Sequence, residues 1–101
     1  MMDTRELYEN LKGLGSVDSA DDFSYLFGYG SSTIRSQWAK RLSPDLGAWL
    51  RFWFSLNEIA EDTEETINTV HNSERGAYEA GLEKLRKLQS RVWQHVTELA
   101  S

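Results

Sequence analysis

The sequence predicts an all-α fold of about five helices that ends in one long helix. Three observations carry that expectation. Apolar residues recur three and four apart through most of the chain. Residues that start helices and glycines that stop them alternate along it. Only "WLRFWFSL" has the alternation and aromatic content of a strand, and no second convincing strand exists for it to pair with.

Each helix has a local signal. In "DTRELYENLKGLG", Asp3 and Glu6 have capping-box spacing, Leu7, Leu11 and Leu14 share a face, and Gly13 or Gly15 can end the helix. In "SVDSADDFSYLFG", Ser19 is the expected N-cap and Asp21 and Asp22 suit the positive end of the helix dipole. Phe23, Leu26 and Phe27 form its apolar stripe, and Gly28 is a natural stop. A third, short helix follows in "YGSSTIRSQWAKRL", capped by Ser31 or Ser32, with Ile34 and Trp38 on one face. "SPDLGAWLRFW" reads as a helix start with Ser43 at N-cap, Pro44 at the first helical position and Asp45 in the first turn. Leu46, Trp49, Leu50 and Trp53 make its core stripe, with Phe52 and Ile59 towards a second face. The acidic "NEIAEDTEETINTV" either continues this helix or forms another. The last helix is capped near Asn72 or Ser73, and Tyr78, Leu82, Leu85, Gln89, Val92, Val96 and Leu99 give it a coiled-coil-like seam.

Two units are expected: residues 1–70 as a helical domain and 71–101 as a helix that closes its core or dimerises. Forty per cent apolar residues, including four Trp, are enough for a real core. With no cysteine, disulfides, thiolate metal sites and cysteine nucleophiles are excluded. The start has no signal-peptide pattern, and "LGAWLRFWFSL" is too short to span a bilayer, so a cytoplasmic protein with no membrane partner is expected.

The net charge of −5 argues against indiscriminate nucleic-acid binding, yet charge is unevenly placed. Arg35, Lys40, Arg41 and Arg51 against Asp45 make a basic island over 30–55. Acidic segments flank it, and Glu58, Glu61, Asp62, Glu64 and Glu65 have no base among them.

That island lies in "SADDFSYLFGYGSSTIRSQWAKRLSPDLGAWLRFWFSL", residues 19–56, which resembles the phage-repressor (Cro/CI-like) helix-turn-helix family. Phe23, Ser24, Phe27 and Gly28 match the family's first helix and turn, and Ile34 matches the buried position of its recognition helix. "KRLSPDLGAWL" matches the basic, Ser-Pro-led entry to the next helix. The chain departs from the family at Ser24, where a small residue, usually Ala, is preferred, at Tyr29, where an aliphatic is, and at Gln37, a further buried position. Gly30 also stands where a base-reading side chain is often found. A fainter resemblance links "LYENLKGLGSVDSADDFS" to small uncharacterised bacterial proteins with a similar corner.

The resemblance implies a bacterial or phage transcriptional regulator that binds double-stranded DNA as a homodimer. Ser31, Ser32, Arg35 and Ser36 would face bases, Lys40 and Arg41 phosphates, and amides of the recognition helix's first turn would suit a phosphate. Tyr78, Leu82, Leu85, Gln89, Val92 and Val96 would form the dimer or partner interface. The alternative is an adaptor or inhibitor that keeps this shape and binds a protein through its aromatic helix and acidic segment. In that role Phe52 and Phe54 would face the partner, and the carboxylates could mimic a phosphate backbone.

Catalysis and cofactors have little support in the residues. His71 and His95 lack a clustered second ligand, so no metal is expected; His71 reads as a loop or helix-end residue and His95 as helix surface. The paired carboxylates Asp21–Asp22 and Glu64–Glu65 point apart on helices. No phosphate-binding glycine loop or nucleophile motif is present, so neither an enzyme nor a cofactor is expected.

Overall fold

The computed structural model describes residues 2–101. It contains five helices and, among the described residues, no strand: α1 (Thr4–Gly13), α2 (Ala20–Leu26), α3 (Thr33–Lys40), α4 (Leu46–Thr69) and α5 (Asn72–Ala100). The "WLRFWFSL" stretch lies wholly inside α4, and the acidic segment continues that helix. No helix is long and apolar enough to cross a membrane.

α4 and α5 form an antiparallel hairpin, since only Val70 and His71 separate them. The short helices gather against one end of this hairpin. A single apolar core joins Leu7 and Leu11 of α1, Phe23 of α2, Phe27, Ile34 of α3, Trp49, Phe52 and Leu56 of α4, and Leu85, Val92 and Val96 of α5. Both sequence units therefore share one core. Aromatic rings fill its centre: Phe52 stacks on Phe27 with centroids 4.2 Å apart, and meets Phe23 and Trp49 edge-on.

The α5 seam is used inside the chain. Leu85, Gln89, Val92 and Val96 are buried, which leaves Tyr78, Leu99 and part of Leu82 from that set at the surface. Sequence periodicity identifies an apolar face without identifying what covers it, and here α4 does. Gln89 is tolerated in the seam because its amide donates to Asn57 Oδ1 at 3.0 Å. Arg86 also donates to Asn57 Oδ1, to Gln89 Oε1 and to Glu64 Oε1, so the polar groups in this seam bond to one another.

Helix boundaries follow capping chemistry, with two corrections. α4 begins at Leu46 rather than Pro44, and its N-cap is Asp45 in place of Ser43; Asp45 Oδ1 accepts from Ala48 N at 2.9 Å. Asp outcompetes the neighbouring Ser because its charge also favours the positive helix end. Pro44 sits buried just ahead of the helix. α5 starts after His71, whose side chain makes no capping bond. Asp3 and Ser19 cap α1 and α2 as their sequence positions imply.

The three short helices end alike. In each, one residue takes a left-handed backbone and the next N–H reaches back five residues: Ser16 to Leu11, Tyr29 to Ser24 and Leu42 to Gln37. Gly15 (φ 75°) and Gly28 (φ 77°) take that conformation at α1 and α2. At α3 the residue is Arg41, with φ 55°, the only described residue other than glycine at positive φ.

Candidate nucleic-acid interface

α2, the turn over 27–32 and α3 form a tight corner whose geometry is set by Ser24. The Ser24 hydroxyl donates to Gly30 O at 2.6 Å and accepts from Ile34 N at 3.2 Å. It therefore caps α3 from ten residues upstream, while Ser32, at the N-cap position, makes no side-chain capping bond. Ser24 is completely buried, which makes these bonds obligatory rather than optional.

The other two departures from the family pattern meet each other. Gln37 Nε2 donates to the Tyr29 hydroxyl at 3.2 Å, and the Tyr29 ring stacks on Phe27 with centroids 5.9 Å apart. A polar residue at a position otherwise apolar is thus matched by a phenol in place of an aliphatic. Gly28 has a packing role as well, because a Cβ there would lie 3.3 Å from Arg51 Cγ.

α3 turns Ile34 fully inward and Trp38 partly so. Trp38 stacks near Phe23 and Tyr8, and its indole N–H donates to Thr4 Oγ1 at 2.8 Å. Arg5 lies over the same ring, 5.2 Å from its centroid. These links tie α3 to α1.

Ser31, Ser32, Arg35, Ser36, Lys40 and Arg41 are all exposed. Ser32, Ser36 and Lys40 recur four apart, so they follow one outward row of the helix. The cations do not form one cluster. Arg35 and Lys40 differ by about 140° around the helix axis, and Arg35 reaches Asp21 of α2 at 2.8 Å. Lys40 and Arg41 stand at the α3 C-terminus, where their charge complements the helix dipole.

Two amides expected to receive a phosphate are already engaged: Thr33 N donates to Gly30 O and Ile34 N to Ser24 Oγ. The first turn of α3 is therefore a poorer anion site than the sequence implies. Arg5 stands near the opposite end of α3. It borders, with Asp3, Thr4, Trp38 and Arg41, a shallow cleft of roughly 390 Å³. Arg5 and Thr4 were not identifiable as site residues from sequence, since nothing local links the first turn of α1 to position 38.

The remaining candidates take structural places. Phe52 is buried in the core, so it does not face a partner; Phe54 is exposed. His95 is half-buried, its ring 4.8 Å from that of Trp49, rather than a free surface residue. His71 is exposed at the hairpin turn. No family model, curated protein or solved structure matches the chain.

Proposed function

We propose that this protein is a small DNA-binding regulator that lays α3 against duplex DNA. The observation that carries the reading is the Ser24-bridged corner, which buries Ile34, half-buries Trp38 and leaves Ser31, Ser32, Arg35, Ser36, Lys40 and Arg41 facing solvent. In this reading Ser32, Ser36 and Arg35 meet base edges, Arg35 exchanging Asp21 for a base. Lys40, Arg41 and Arg5 meet phosphates. An exposed ion pair is worth ~1 kcal/mol or less, so that exchange is cheap.

Arg41 adds independent support. The left-handed conformation costs a non-glycine residue about 1 kcal/mol, and glycine fills the equivalent place at both other short helices. A basic side chain standing there at a cost in stability fits a functional demand for its charge.

The test is the affinity of the full chain for duplex DNA by fluorescence anisotropy at several salt concentrations. Binding at low salt, lost in the Arg35→Ala/Lys40→Ala/Arg41→Ala variant, is the expected result. Arg41→Gly is expected to hold or raise thermal stability, by about 0.5–1 kcal/mol, while weakening binding. It should also flatten the log K against log salt slope by about 1. Absence of binding at low salt would overturn the proposal. The second reading, a protein-binding adaptor, is favoured by exposed Phe54 beside the acidic segment of α4. It predicts a stable complex with another protein and no DNA binding.

A further inference from the structure

The outward face of α4 carries a row of exposed residues along most of the helix. Gly47, Arg51, Phe54, Glu58, Glu61 and Glu65 recur at spacings of four and three, and all are exposed. The row lies opposite Trp49, Phe52, Leu56 and Ala60, which face the core. Phe54 sits within it at 54 % exposure, and its ring lies 5.1 Å from that of Trp53. Trp53 in turn lies 5.4 Å from Trp93 of α5, itself 48 % exposed. The result is an aromatic patch that crosses from one helix of the hairpin to the other, the kind of surface that marks an interaction site.

We propose that this face pairs two copies of the chain, α4 against α4, antiparallel about a two-fold axis at Phe54. Charge selects the occupant and the orientation. Arg51 stands three residues before Phe54 and Glu58 four after, about 4.5 and 6 Å along the helix. A two-fold rotation through Phe54 sets Arg51 of one copy beside Glu58 of the other, and repeats the pair in reverse. Parallel pairing would instead oppose like charges. Among the described residues neither Arg51 nor Glu58 has an ion-pair partner of its own. One surface thus supplies both halves of its own complement, the requirement for an isologous interface.

Such a dimer differs from one built on the α5 seam, most of which the chain already buries. The aromatic centre is smaller than the ~800 Å² per partner of a standard interface. The charged flanks must therefore take part, and the affinity falls in the weak, concentration-dependent range. The pairing does not depend on DNA contact.

Sedimentation equilibrium of the full chain without DNA, from about 1 to 300 µM, tests it. The expected result is a reversible monomer–dimer equilibrium, abolished by Phe54→Glu with the circular dichroism spectrum unchanged. Arg51→Glu and Glu58→Arg should each weaken association tenfold or more. Together in one chain they should restore it to within about threefold, because the two-fold axis re-forms both pairs with signs exchanged. Glu58→Arg serves as the independent single variant, because the Arg51 stem also lies against the α2–α3 turn. A monomer at every concentration would overturn the proposal. So would a dimer indifferent to Phe54→Glu, or a double variant no better than the singles. A one-to-one complex with a different protein in place of self-association would also overturn it, by giving the face to a heterologous partner. Loss of DNA binding with the dimer intact would count against the regulator alone.

Discussion

Phe52→Ala is expected to destabilise the protein by about 3–5 kcal/mol, the range for removing a fully buried aromatic side chain. Phe52 has no exposed surface, and its ring touches the rings of Phe27, Phe23 and Trp49. Those three come from α2, the residue that ends it, and α4, so the resulting void would open where the helices converge. The rings around it are large and planar and are held by one another, which limits their collapse into the gap. A domain of this length has about 5–15 kcal/mol in total. The loss should therefore lower the melting temperature by well over roughly 10 °C and could leave the variant largely unfolded at 37 °C. Thermal denaturation followed by circular dichroism measures it. Phe54→Ala is the matched control: its ring is more than half exposed, and its change should stay within about 0.5 kcal/mol.

Ser24→Ala should cost about 1–3 kcal/mol, although the side chain loses only one oxygen. That oxygen serves two backbone groups at once, Gly30 O and Ile34 N, and Ile34 is itself fully buried. Alanine would leave an amide without an acceptor at the head of α3, and no water-exposed route restores it. Ser32→Ala provides the contrast. Position 32 is the formal N-cap, yet its side chain caps nothing, so the change should be close to neutral. Urea denaturation of the two variants in parallel distinguishes them. A larger loss from Ser32→Ala than from Ser24→Ala would show that the local hydroxyl, rather than the distant one, caps the helix.

The same pair of serines shows how far the sequence could be read. Short-range chemistry is legible: Asp3 and Ser19 as caps, Gly28 as a stop, Ile34 as a buried residue of α3. Each depends on neighbours within about four positions, where spacing fixes geometry. The bridging role of Ser24 is not legible in the sequence, because its partners lie six and ten residues away. Tyr29 and Gln37 likewise looked like two irregularities until the fold brought them within hydrogen-bond reach. The pairing of Arg35 with Asp21 is not legible either, because it needs the angle between α2 and α3. The α5 seam illustrates a further limit. A periodic apolar stripe has the same appearance whether a second molecule or the preceding helix buries it.

The α4–α5 hairpin reaches beyond the core that anchors it. Every residue from His71 to Ala80 is exposed, and α5 opens without a side-chain cap. Little apolar area would be lost if those first turns unwound, so fraying there requires far less free energy than global denaturation. The hairpin is accordingly graded along its length: a tip that breathes on its own, and a base whose amide protons are released only when the whole molecule opens.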